Sequence, residues 1–304
     1  MGMPSASSLR RFMTDEDIFG PDETMMRFHT KNNPSEAFKV FQIYDYIPAI
    51  AEKLLGGWKS AGDRLMKLQY IQYEWIRMTM ELYRRNKWFS SGMVYWMLND
   101  CWPANGWAII DYYARPKAAW YGFRRAAQPV IASIDKRDGQ YHLYVCSDGQ
   151  AAKRGTARLF IQPFDRDQPR CEVRAEFSVR ANESVKVISA ELSEAAEGEI
   201  LLAEIEGEDF RDRTCFFEKR PQDCGFPGEL PAVEAVSADS VTLRAGKYVH
   251  AVSLDGEAEF DDNFFSLLPG ERRTVRISGA KGSVTMRVLN SDAPECVIEL
   301  KSGR

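Results

Sequence analysis

Trp96, Asn99, Asp100 and Trp102 fall within the nine-residue run YWMLNDCWP. Two indoles, a carboxamide and a carboxylate suit the recognition of a sugar: the C–H face of a pyranose packs on an indole, and the carboxylate and amide hold its hydroxyls. Asn99 and Asp100 have an alternative use in fixing the loop that follows, and Trp102 and Trp107 an alternative use in buttressing it. Retaining cleavage of a glycosidic bond needs more, namely two carboxyl groups about 5–5.5 Å apart. Asp100 is the one acidic residue with a suitable setting. The acidic run Asp15, Glu16, Asp17 reads as a solvated helix start or loop, and Glu74 and Glu81 belong to a helical stretch. No catalytic residue is therefore assigned within the chain. His29, His142 and His250 are far apart, and the six cysteines have no CxxC or zinc spacing. Neither a triad, a metal site nor a cofactor is expected, and the cysteines read as reduced thiols without a role. His29 is expected as a surface histidine in a loop near the site.

The elements that position these residues follow from pattern. Val94, Trp96 and Leu98 alternate with Tyr95 and Met97 in a run that is apolar on both faces, which predicts a strand of a parallel sheet covered on both sides. Polar and aromatic residues gather where it stops. Pro116 opens a helix signal that runs through Lys117 to Ala126. In a (β/α)8 barrel the C-terminal ends of the strands carry the active-site rim, and a strand that ends in polar and aromatic residues before a helix suits such a place. Ala61 to Asn86 carries Leu65, Leu68, Tyr70, Ile71, Trp75, Met78 and Leu82 at near-helical spacing, predicting a long helix with that stripe in the core. Ser35 to Leu55 predicts a helical region broken near Pro48, and DETMMRFHTKNN a loop.

After Pro129 the periodicity changes. Strand-like runs at Val130–Lys136, Tyr141–Ser147, Thr156–Pro163, Cys171–Val179, Val185–Leu192, Ile200–Glu206 and Thr214–Glu218 alternate with turn residues. They predict an immunoglobulin-like β-sandwich over residues 128–220. Residues 221–231 read as a linker. A second, smaller sandwich is predicted over 232–304, with strands at Val241–Leu243, Tyr248–Leu254, Arg273–Ile277, Val284–Leu289 and Val297–Leu300. Asp111 to Arg115 is expected to fasten the barrel portion to the first sandwich.

Three stretches resemble β-mannosidase-type enzymes of glycoside hydrolase family 2. YWMLNDCWP with GWAIIDYYARPKAAWYGFRRA resembles their last barrel strand and helix, DNFFSLLPGERRTVRI their final sandwich domain, and Gly2-Met3-Pro4-Ser5 with SLRRFM the segment just after their nucleophile strand. The resemblance implies that residues 1–127 are the C-terminal portion of a (β/α)8 barrel, that the nucleophilic Glu and the acid/base Glu both precede Met1, that this chain is a C-terminal fragment inactive alone, and that Trp96 floors the subsite where the bond breaks. It leaves β-galactosidase-like and exo-glucosaminidase-like enzymes as alternatives on the same fold. A non-catalytic carbohydrate-binding or structural sandwich module is the reading from a different class. Composition sets the remaining expectations. With 44% apolar and 28% charged residues and a formal net charge of -4, the chain is an ordinary globular protein without the basic balance of a nucleic-acid or membrane-surface binder. No apolar run reaches the ~20 residues of a membrane helix. No basic-then-apolar leader is present, so the expectation is cytoplasmic, with carbohydrate as the partner.

Overall fold

The computed structural model describes residues 2–30, 43–292 and 295–301. They fall into two compact units: residues 1–75, 95–122 and 226–304 form one, and residues 76–94 and 123–225 the other. The first unit opens with short helices, each with a local cause. In α1 (Ala6–Leu9), Ser5 caps the start by accepting from the Ser8 amide. In α2 (Asp15–Phe19), Thr14 and Asp17 exchange bonds in a capping box, and the Thr14 hydroxyl and amide together hold the Asp17 carboxyl below its usual range. The acidic run is thus a capped helix start. Helix α3 (Thr24–Phe28) stands where a loop was expected; residues 31–33 of that expectation lie outside the described residues.

Helix α4 (Ile43–Leu55) continues through Pro48, correcting the expected break. A proline removes one helical hydrogen bond, while Ile47, Ala51 and Leu55, four apart, are buried on both sides of it and hold the helix to one core. The part of the predicted region before residue 43 lies outside the described residues. Helix α5 (Ala61–Arg85) is a single 25-residue helix. Its first part buries Leu65, Met66, Leu68, Tyr70 and Ile71 against Met3, Leu9, Met26 and Leu55. Helix α6 (Ala118–Ala126) starts just after Pro116 and Lys117.

The strand predicted at Val94 to Leu98 does not form: the segment is irregular. A strand exists through its neighbours, since every backbone amide and carbonyl needs a partner. The Met97 and Leu98 carbonyls accept from the Ile109 and Ile110 amides at 3.3 and 2.9 Å, and this short contact is too little to make a sheet. The apolar side chains stand in the open, Val94 at 95% exposure and Trp96 at 73%.

The second unit holds the rest of α5 and a seven-stranded sandwich. Strands β1 (Val130–Arg137), β2 (Gln140–Ser147) and β5 (Ser184–Ala190) make one layer, ordered β1-β2-β5. Strands β3 (Lys153–Pro163), β4 (Arg170–Val179), β6 (Glu199–Gly207) and β7 (Arg211–Phe216) make the other, ordered β4-β3-β6-β7. All pairs are antiparallel, and alternate residues such as Leu143, Val145, Leu159, Ile161, Leu201 and Ala203 fill the core between layers. All seven expected strands are present. The expected apolar stripe of α5 fails here. Met78 and Leu82 are exposed, whereas Arg77, Glu81 and Arg84 are buried. Arg77 donates to Glu81 and Thr214, each at 2.5 Å, and Arg84 donates to the carbonyls of Ala126 and Gln128 at 2.6 and 2.7 Å. These partners make burial of the charges tolerable.

The first unit is completed by a second immunoglobulin-like sandwich of β8 (Ala232–Val236), β9 (Ser240–Arg244), β10 (Val249–Phe260), β11 (Phe265–Leu267), β12 (Arg272–Val288) and β13 (Cys296–Glu299). Two expected strands are one here. The 17-residue β12 pairs with β9 over its first five residues, then with β10 and β13 over the rest. The core holds Val241, Leu243, Val252, Leu254, Val275, Val284 and Met286. Ala251, Phe264 and Leu289 join the helical core instead, so the sandwich and the helices of this unit share buried surface.

Candidate functional site

The candidate residues lie on a loop held from beneath. Residues 98–100 run alongside residue 110: the Ile110 amide donates to Leu98 O at 2.9 Å and the Asp100 amide to Ile110 O at 3.0 Å. The chain turns back at Asp111, whose carboxylate accepts from the Tyr113 and Arg115 amides at 2.8 and 2.9 Å, and the Lys117 amide then donates to Ile109 O at 2.9 Å. This brings the Lys117 side chain, 1% exposed, beneath the loop. Its Nζ ion-pairs with Asp100 and donates to Gly2 O at 3.0 Å and Gly106 O at 3.2 Å. One buried ammonium thus joins three stretches of chain, with each of its three protons matched to an oxygen. Gly2 closes the group by donating to Gly106 O at 2.6 Å. A methyl group on Gly2 would meet the end of the Gln72 side chain at 2.3 Å, so a larger residue there would have to displace Gln72.

Around this anchor the four candidates differ. Trp96 is exposed, and the Trp96–Met97 peptide bond is cis. Asn99 is exposed, its amide donating to Asp100 O at 3.2 Å. Asp100 points inward to Lys117, in the geometry of a loop anchor. Trp102 is half-buried and stacks on His29, with ring centroids 5.4 Å apart and planes 25° apart. His29 is not the surface residue expected: it is buried, and its Nδ1–H donates to Pro103 O at 2.9 Å, fastening α3 to the loop. Asn105 adds two bonds of the same kind, from its amides to His29 O at 2.8 Å and Met26 O at 3.0 Å. Trp107 presents its carbonyl to Tyr95 Oη at 2.5 Å and to Gln72 Nε2 at 2.9 Å. Burial pushes the Tyr95 phenol up, with the Asp100 carboxylate adding to it and the Gln72 bond opposing. Buried Gln72 Oε1, Asn105 Oδ1 and Trp107 Nε1 have no hydrogen-bond partner among the described residues.

Sequence reasoning missed Lys117 and His29. A signal for Lys117 was present, since a cation at a helix start opposes the helix dipole and implies a carboxylate nearby. The Asp111–Arg115 turn also has a different partner from the one expected. Arg115 donates to Glu257 on β10, in the second sandwich, at 2.7 Å. Among the described residues, no three His, Cys, Asp or Glu side chains are grouped to hold a metal, and no helix is long and apolar enough to cross a membrane.

Residues 229–292 match the immunoglobulin-fold domain of mannosidases. The β-mannosidase B of Aspergillus niger is 24% identical over an alignment that takes in 93% of this chain and 36% of that protein. The chain is similar to the β-mannosidases of glycoside hydrolase family 2. An exo-β-D-glucosaminidase of Arthroderma benhamiae is 30% identical over 159 residues, 51% of this chain and 18% of that protein. The fold matches the β-D-mannosidase of Dictyoglomus thermophilum with a TM-score of 0.75 at 24% identity, over 99% of this chain and 37% of that one. It matches the exo-chitosanase of Amycolatopsis orientalis with a TM-score of 0.74 at 19% identity, over 98% and 41%. The chain spans about a third of the length of the Aspergillus niger relative, 36%. The residues matched to the immunoglobulin-fold domain include β10, and with it the Glu257 that holds Arg115.

Proposed function

We propose that the chain is the C-terminal part of a retaining exo-β-glycosidase acting on terminal β-mannosides. In this reading it carries the last strand end and rim of a (β/α)8 barrel whose other strands, with both catalytic carboxylates, precede Met1. The observation that carries it is the exposed Trp96 beside a loop anchored by Lys117 and Asp100, in a chain whose relatives include β-mannosidases. Trp96 offers a flat apolar face to the sugar, Asn99 and Trp102 follow it along the same loop, and Asp100 keeps that loop in place. In the reaction, an upstream carboxylate attacks the anomeric carbon and a second protonates the leaving oxygen, after which water releases the sugar. The flat indole suits the ring as it flattens toward the oxocarbenium-like state, so part of its contact energy is realised only there.

The test is to assay the 304-residue chain alone, and the uninterrupted reading frame that contains it, with aryl β-mannoside, β-galactoside and β-glucosaminide. The chain alone is expected to be inert, and the longer protein to cleave the mannoside fastest with retention of anomeric configuration. Turnover by the chain alone overturns the placement of the carboxylates, and inversion overturns the two-step mechanism. A preference for the glucosaminide selects the second reading, which the 30% identity to an exo-β-D-glucosaminidase favours.

A further inference from the structure

The stretch from Gly2 to Ser7 is gripped at both ends. At one end are the Gly2 bonds to Gly106 and Lys117. In the middle, Gln69 Nε2 donates to Pro4 O at 2.7 Å. At the other end the grip comes from the second sandwich. The Ala6 amide donates to Asp255 Oδ2 at 2.8 Å and the Ser7 amide to Oδ1 at 3.3 Å. Asp255 is buried on β10. Its two oxygens take the first two amides of α1, which a helix leaves without internal partners. Two residues along the strand, Glu257 accepts from Arg11 at 3.0 Å and Arg115 at 2.7 Å.

We propose that Asp255 is a positioning residue for the glycosidase reaction. It touches no substrate; from the second sandwich it fixes the segment that follows the nucleophile, and so the nucleophile itself. The proposal rests on the function proposed above. It gives the C-terminal sandwich a part in turnover, and a carboxylate suits the place because it presents one oxygen to each amide while pairing with Arg287 at 3.7 Å.

The experiment uses the uninterrupted reading frame and measures kcat, KM and Tm for wild type, Asp255→Asn, Ala6→Pro and Asp262→Asn. Ala6→Pro deletes the same hydrogen bond from the helix side, at a first helical position where proline fits and after an extended Ser5. Asp262 is a comparably buried carboxylate of the same sandwich, paired with Arg273, and serves as the control for stability alone. Asp255→Asn and Ala6→Pro are expected to lower kcat at least about tenfold with KM within about twofold, because a small displacement of a reacting group is felt in the chemical step. Asp262→Asn is expected to lower Tm and keep kcat. Should Asp255→Asn fail to fold, Ala6→Pro decides. Unchanged kcat in an active enzyme overturns the positioning role and leaves the proposed function standing, as does an equal fall in kcat for Asp262→Asn. An inactive wild type overturns both.

Discussion

At the scale of single residues, Lys117 decides the most. It stands immediately before α6, where a cation opposes the helix dipole, and it is stable there because Asp100 and two carbonyls surround the ammonium. Removing one partner leaves the other as an uncompensated buried charge. Lys117→Met is therefore expected to cost about 3–5 kcal/mol. Lys117→Met combined with Asp100→Asn should cost less than the sum of the two single changes, by about 1–3 kcal/mol. Urea denaturation of the chain measures all three, and strictly additive losses would show that the pair is not coupled. Trp96 is the reverse case, exposed and without a packing duty in this chain. In the longer protein proposed above, Trp96→Ala is expected to lower kcat/KM at least tenfold, about 1.4 kcal/mol of transition-state stabilisation, while Tm holds. Wild-type kinetics would remove Trp96 from the site.

At the scale of elements, close approach and charge pairing set the packing. Gly122 lies inside α6 against α5, and a methyl group there would meet the Tyr73 carbonyl at 2.5 Å. Alanine is the better helix former by about 1 kcal/mol, yet Gly122→Ala is expected to destabilise by about 1–3 kcal/mol, because backbone cannot yield as a flexible side chain does. A raised Tm in this variant would mean the helices separate at little cost. On β6, Glu204 is gripped by Arg158 at 2.6 and 2.8 Å and by Arg213 at 2.5 Å. Burial alone would raise its carboxyl, but the two guanidinium groups outweigh burial and hold it below its usual value. A depressed carboxyl contributes stability above its unfolded value and loses it as pH falls through the folded one. Glu204→Gln is thus expected to cost about 1–3 kcal/mol at pH 7. The gap from wild type should close on acidification below the ordinary glutamate range, as denaturant midpoints across pH would record. A gap that stays constant with pH would mean the charge is not what stabilises.

At the scale of the whole molecule, the chain leaves unusual apolar surface in water. Phe89 is 99% exposed, and Trp75, Trp88, Val94, Trp96 and Leu98 are exposed with it. Isolated apolar residues on a surface are ordinary, but this many large ones within about 25 positions mark surface that drives association. The chain is expected to self-associate at micromolar concentration in sedimentation velocity. Phe89→Ser with Val94→Ser should move the onset to higher concentration and leave Tm unchanged. Equal association by the double variant would place the driving surface elsewhere.

The strands and long helices were legible because their causes are local. Alternation of apolar and polar residues announced all seven strands of the first sandwich, and the Leu65 to Ile71 stripe announced α5 within a residue or two of its ends. What the sequence determined was therefore the class of each layer, the immunoglobulin-like character of the C-terminal half, and the family likeness carried by three short runs. What it left open depends on partners far along the chain. Arg77, Glu81 and Arg84 look like a solvated face until Thr214 and the carbonyls of residues 126 and 128 are brought to them. His29 looks like a loop histidine until Trp102 stacks on it, and the run at Val94 to Leu98 looks like a strand in the absence of any account of what pairs with it. Only the tertiary structure decided that Asp100 turns inward to Lys117 while Trp96 turns out, and that the second sandwich holds the Ser5–Ser7 stretch through Asp255. A buried charge or an open indole is decided by its neighbours in space, and those neighbours are not adjacent in sequence.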